Sequence, residues 1–192
     1  MTRPAPASLL TIFGATGDLA QRMLLPSLYS LQAEQLLPPG LRILGTARSE
    51  LDREGFSTLV ANTINQRIPA AERNDAALRA LLGRLDYCAA SVDNDASMQA
   101  LAAKVGELRN GDVLYHLSTA PRFYVPACHA LAAHGAADAQ TRVMLEKPIG
   151  KDLASADAIN DGVAQVFDEE RVYRVDHYLG KEGVQNLIAL RF

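Results

Sequence analysis

The sequence predicts an α/β protein built on a Rossmann-like, doubly wound, mostly parallel sheet of about six strands. Three observations carry this expectation. Strand-like and helix-like segments alternate along nearly the whole chain. The first strand runs into a glycine-rich turn, GATGDLA, that opens a helix. Residues able to do chemistry gather directly after the strand segments, where ligands of open parallel sheets bind. Such alternation implies right-handed crossovers and a parallel sheet.

The elements follow in order. SLLTIF (8–13) is a short apolar run ending at a glycine, a buried strand. DLAQRMLLPSLYSLQAEQLL (18–37) sets Leu19, Met23, Leu24, Leu28 and Leu31 at helical spacing, with a kink expected near Pro26. LRILGTAR (41–48) is a second strand after the Pro38-Pro39-Gly40 turn. Residues 51–82 read as helix, broken around Pro69, before a third strand at 84–90. ASMQALAAKVGEL (96–108) is a helix that Asp93 or Asp95 can cap, and DVLYHLS (112–118) is a fourth strand. VPACHALAAHG (125–135) is a helix closed by glycine. TRVMLE (141–146) is a fifth strand, SADAINDGVAQVF (155–167) a helix with Ser155 as candidate cap, and RVYRVD (171–176) a sixth strand. A helical pattern begins again at Tyr178.

Composition excludes several classes of function. A length of 192 residues suits one domain, or one and a fraction. Hydrophobic residues make up 48%, which supports a core and argues against disorder. Charged residues are 21% with a net charge of −3, which gives no basic arm for nucleic acid and no polybasic membrane patch. No apolar run approaches the ~18 residues of a membrane span. The N-terminal stretch reads as a tail into the first strand, not a signal peptide. Cys88 and Cys128 lack metal or redox spacing, so a reducing, cytoplasmic setting is expected.

The strand ends define the expected site. Gly14, Gly17 and Ala20 match G-x-x-G-x-x-A, a tight turn that brings backbone N–H groups and a helix N-terminus to a pyrophosphate. The other reading is an ordinary glycine-rich βα turn. After strand two stands Arg48, where an NAD site usually carries an acid for the ribose 2′-hydroxyl. An arginine suits a 2′-phosphate, which leans the cofactor to NADP; the alternative is a solvated side chain. Ala120 and Pro121 would turn the chain over the cofactor after strand four, Pro121 contributing shape. Lys147, fixed before a proline, would face both nicotinamide and substrate after strand five; the alternative is a surface lysine at a turn. His177, Tyr178 and Lys181 after strand six make a phosphate socket at a strand-to-helix junction.

GATGDLA, LEKPIG and, above all, RVDHYLGKE followed by VQNLIALRF resemble the glucose-6-phosphate dehydrogenases of bacterial type, from about Leu9 to Phe192. EKP also resembles the glucose–fructose oxidoreductase group of sugar dehydrogenases. The first resemblance implies oxidation of D-glucose 6-phosphate at C1 to 6-phospho-D-glucono-1,5-lactone with reduction of NADP, the entry step of the pentose phosphate pathway. It implies a coenzyme turn of Gly14, Ala15, Thr16, Gly17, Asp18 and Leu19, with Arg48 on the 2′-phosphate and Ala120 and Pro121 beside the cofactor. Lys147 lies between nicotinamide and sugar, and His177, Tyr178 and Lys181 grip the sugar phosphate. Asp176 orients a catalytic histidine base that the family carries in a second, α+β domain.

On that resemblance, residues 1–8 are a tail, 9–176 the dinucleotide-binding domain, and 177–192 the start of a truncated substrate domain. The second domain is expected to be absent, so that the chain alone binds NADP without turnover. Full-length family members are homo-oligomers. Met23 stands where the family usually has a lysine near the substrate. A non-catalytic NADP-binding module, or another EKP-type sugar dehydrogenase, is the alternative.

Overall fold

The computed structural model describes residues 5–176. Six strands form one sheet: β1 (Leu9–Phe13), β2 (Arg42–Ala47), β3 (Leu85–Ala89), β4 (Val113–Leu117), β5 (Thr141–Glu146) and β6 (Val172–Val175). Their order is β3-β2-β1-β4-β5-β6, and every pairing is parallel, so the sheet is fully rather than mostly parallel. The chain winds one way from β1 to β3 and the other way from β4 to β6. The reversal falls between β1 and β4, where a crevice opens at the carboxyl ends of the strands. Phe13 marks the place, paired with Thr46 on one side and Leu117 on the other.

Helices α1 (Leu25–Ala33), α2 (Arg53–Arg67), α3 (Asp75–Gly83), α4 (Asp95–Leu108), α5 (Tyr124–Ala133) and α6 (Leu153–Ala164) cover the sheet. Two apolar layers result. Ile12, Ile43, Leu25, Phe56 and Leu81 pack on one face, and Leu9, Tyr115, Leu117, Leu131 and Phe167 on the other. Each fully buried side chain of this size stabilises the fold by about 1.5–3 kcal/mol relative to exposure.

Pro26 acts earlier in its helix than a simple kink would. A π-helical turn, Ala20–Leu24, precedes α1, with the Leu25 N–H donating to the Ala20 carbonyl. Pro26 lacks an N–H, and proline and π-bulges are both sites of helix distortion. The helix stops at Ala33, short of residue 37, because Gln35 adopts a left-handed φ of 58°. Pro69 separates α2 from α3 as expected. Two expected caps are corrected. Asn94, not Asp93 or Asp95, caps α4, its side chain accepting from the Ser97 N–H. Asp152 caps α6, and Ser155 sits three residues inside, where it closes a capping box by bonding back to the Asp152 N–H.

Candidate coenzyme cleft and the end of the sheet

The turn after β1 is built from backbone bonds. The Gly14 N–H donates to the Thr46 carbonyl at 2.8 Å, the Ala15 N–H to the same oxygen at 3.1 Å, and the Gly17 N–H to the Gly14 carbonyl at 2.8 Å. Gly14 has φ 75°, and a Cβ there would lie 2.4 Å from the Ser118 carbonyl oxygen of the loop after β4. Only glycine lets these two strand ends approach so closely. Gln21 Nε2 holds the Thr16 carbonyl at 2.7 Å.

Above this turn lies a cavity of ≈ 520 Å³, within the size range of small-molecule sites. Four strand ends line it: Gly14, Thr16 and Gly17 after β1, Thr46 to Ser49 at β2, Ala90 to Asp93 after β3, and Ser118 to Ala120 after β4. Thr46, Ser118 and Thr119 contribute to this lining, while their hydroxyl oxygens are themselves buried, without a hydrogen-bond partner among the described residues. Arg48 is exposed at the rim and makes no hydrogen bond or ion pair among the described residues.

The residues expected at the cofactor divide. Gly14, Thr16, Gly17, Arg48 and Ala120 line the cavity. Ala15 is fully buried beneath it in the apolar layer. Asp18 is exposed and pairs with Arg22 at 3.4 Å, while Leu19 precedes the π-helical turn. Pro121 starts the short 3₁₀ turn Pro121–Phe123 that leads into α5. Met23 is exposed. The loop after β3, Ala90 to Asp93, and Ser49, Thr46 and Ser118 are additions. Nothing in the residue types of ASVD marks that loop; only the parallel pairing of β3 with β2 brings it to the same sheet end as the glycine turn.

A second cluster forms where β5 and β6 end. Lys147 Nζ donates to Asp176 Oδ2 at 3.0 Å, and the Lys147 N–H continues the ladder to the Val175 carbonyl at 3.2 Å. The Lys147–Pro148 peptide is cis. The lysine side chain is 50% exposed and the aspartate 25%. Just beneath, His116 Nε2 meets Glu146 Oε1 at 2.7 Å, both buried, and the Tyr124 hydroxyl donates to the Glu146 carbonyl at 2.9 Å. Burial pushes the Tyr124 hydroxyl above its ordinary pKa, so it remains a donor. Glu146 is thus held from β4 and from α5, one residue before Lys147. The sequence shows a histidine in a buried strand and a glutamate in EKP, with no sign that they meet.

His177, Tyr178 and Lys181 lie outside the described residues, as does NLIALRF. The described histidines are engaged elsewhere: His116 with Glu146, His129 with the Gly162 carbonyl at 3.3 Å, and His134 with Asp95 at 2.9 Å. None lines the cavity. Burial raises the thiol pKa of Cys128 to about 12 and raises that of Cys88 as well. Among the described residues no three acids, cysteines or histidines cluster to hold a metal, and no helix is long and apolar enough to cross a membrane.

A parallel sheet in this order, with a glycine turn and an open cavity at its switch point, is a dinucleotide-binding Rossmann domain. Residues 11–186 match the profile described as glucose-6-phosphate dehydrogenase, NAD binding domain. The chain belongs to the glucose-6-phosphate dehydrogenase family. It is 46% identical to the glucose-6-phosphate 1-dehydrogenase of Zymomonas mobilis over 96% of this chain and 38% of that protein. It is 41% identical to that of Gluconobacter oxydans over 94% of this chain and 37% of that protein. Among solved structures, a glucose-6-phosphate dehydrogenase in complex with glucose 6-phosphate superposes with TM-score 0.88 at 32% identity, over 100% of this chain and 41% of that one. The enzyme from Mycobacterium avium gives 0.86 at 34% identity, over 98% of this chain and 40% of that one. The chain therefore spans about two-fifths of the length of the relatives it matches.

Proposed function

We propose that this chain is the coenzyme-binding part of an NADP-dependent glucose-6-phosphate dehydrogenase, which oxidises D-glucose 6-phosphate at C1 to the 1,5-lactone. The observation that carries this reading is the cavity at the β1–β4 switch point, with the Gly14–Gly17 turn in its lining and Arg48 at its rim. The residues fit NADP. Backbone N–H groups of the Gly14–Gly17 turn suit the pyrophosphate, and the close approach secured by Gly14 leaves room for it. Arg48 suits the 2′-phosphate. The coenzyme supplies hydride acceptance when bound.

The remaining roles belong to the protein. Lys147 sits at the mouth of β5 and offers its ammonium to a sugar oxygen as charge develops there. Asp176 holds Lys147 in place and, in the family's pattern, orients a histidine base that takes the C1 hydroxyl proton. His177, Tyr178 and Lys181 would bind the sugar phosphate. The domain limits of 9–176 for coenzyme binding, with substrate binding from 177 onward, and a cytoplasmic setting belong to the same proposal. A second reading, a coenzyme-binding module without catalysis, is favoured by one observation: no described histidine lines the cavity. Assay of the protein as its gene encodes it, by NADPH absorbance with glucose 6-phosphate, separates the two.

The coenzyme assignment has its own test. Arg48→Ala is expected to weaken NADP binding by about 1.5–3 kcal/mol, the range for a hydrogen bond to a charged group. NAD binding should stay nearly unchanged, because that cofactor has no 2′-phosphate to lose. Titration with both cofactors reads the difference, and equal losses would contradict the assignment of Arg48.

A further inference from the structure

We propose that Tyr87 is a positioning residue for coenzyme choice, holding the backbone on both sides of Arg48 so that the guanidinium stands ready for a 2′-phosphate. The inference rests on the reading of the cavity as an NADP site. Tyr87 lies on β3, outside the cavity lining, yet its hydroxyl reaches the Ser49 carbonyl at 2.8 Å and the Ala47 carbonyl at 3.3 Å. Those two residues flank Arg48. One proton shared between the two carbonyls clamps the loop at both neighbours of the arginine.

The clamp is itself anchored. The Tyr87 ring packs on Phe56 with centroids 5.1 Å apart, and Phe56 is fully buried under the sheet. Burial, aided by the nearby Cys88 and Glu50, pushes the hydroxyl pKa up to about 12, so it keeps its proton throughout the working range. On the far side, Ser49 Oγ lies 3.1 Å from Thr16 Oγ1, which ties the same loop to the coenzyme turn. The Arg48 side chain has no partner of its own among the described residues. Its aim toward a ligand therefore depends on its backbone. An arginine on a loose loop loses affinity to the ordering that binding demands, and a fixed backbone removes that loss.

Tyr87→Phe tests this, because it keeps the ring packing and removes only the hydroxyl. The probes are adenosine 2′,5′-bisphosphate and 5′-AMP, which differ by the 2′-phosphate, measured by calorimetric titration. Tyr87→Phe should weaken the bisphosphate about three- to tenfold and leave 5′-AMP within about twofold, the scale of one neutral hydrogen bond. In an Arg48→Ala background the same change should move neither ligand further. An unchanged bisphosphate affinity, or an equal loss for both ligands, overturns the role of Tyr87. If the parent protein and Arg48→Ala bind the two probes alike, the NADP reading itself fails and the inference falls with it. That outcome shows in the Arg48 arm alone, so the two failures are distinguishable.

Discussion

Replacing Gly14 by alanine is expected to destabilise the chain by about 2–5 kcal/mol and to abolish coenzyme binding. Two costs add. A residue with a Cβ in the left-handed region costs about 1–2 kcal/mol, and φ at Gly14 is 75°. The added methyl would also lie 2.4 Å from the Ser118 carbonyl oxygen. Overpacking of this kind costs about 1–3 kcal/mol. The obstacle is backbone, so no side-chain rotation relieves it. Relief requires the ends of β1 and β4 to part, and these are registered through Phe13 and Leu117, with the Ser118 N–H bonded to the Phe13 carbonyl at 3.1 Å. Parting them moves the floor of the cavity together with the N–H groups that the proposed function gives to the pyrophosphate. Gly17 makes the control: a Cβ there meets the Gly14 carbonyl at 3.0 Å, and its φ is unremarkable. Gly17→Ala should cost markedly less stability than Gly14→Ala. Urea denaturation and NADP titration measure both effects. A Gly14→Ala protein with the parental midpoint and intact binding would show that the close approach is not needed.

Most of the sheet is legible in the sequence for a physical reason. The inner strands β1, β2 and β4 are buried along most of their length and read as mainly apolar runs, such as SLLTIF before Gly14 and LRILGTA before Arg48. The element edges are less legible because small competitions decide them. Asn94 wins the α4 cap from Asp93 and Asp95, although all three can accept from a free N–H. Asp152 takes the α6 cap three residues before the expected start of the helix at Ser155, and only the Ser155 side chain, bonding back to it, reveals why. The site divides in the same way. Glycine turns and a lysine before proline carry backbone constraints that show in one dimension. The clamp of Tyr87 on Ala47 and Ser49, the meeting of His116 with Glu146, and the pairing of Lys147 with Asp176 join residues 38–40, 30 and 29 positions apart. Such contacts become visible only once the register of neighbouring strands is set.

If the proposed dehydrogenase function holds, Lys147→Ala in the protein as its gene encodes it is expected to lower kcat for glucose 6-phosphate by about 10²–10³, the scale for removing one preorganised donor from a site of developing charge. Stability should hardly change. The Lys147–Asp176 pair is short at 3.0 Å, but the lysine is half exposed, and ion pairs in contact with water contribute about 0–1 kcal/mol. The melting temperature should therefore fall by less than about 4 °C for a chain of this size. NADP affinity should also hold, because Lys147 does not line the cavity. This combination separates a chemical role from a structural one, since a residue that merely held β5 to β6 would show the opposite pattern. Asp176→Asn sharpens the test. It keeps a hydrogen-bond acceptor for the ammonium but removes the charge that fixes its position, so kcat should fall while Lys147 remains present. Lys147→Arg should recover only part of the rate, because the planar guanidinium cannot take the place of a compact ammonium at the same oxygen. Steady-state NADPH absorbance together with thermal melts decides the matter. A Lys147→Ala enzyme within about threefold of the parental kcat would remove the lysine from the chemistry and leave it as the rim of the coenzyme domain, since a donor aimed at developing charge is worth far more than that.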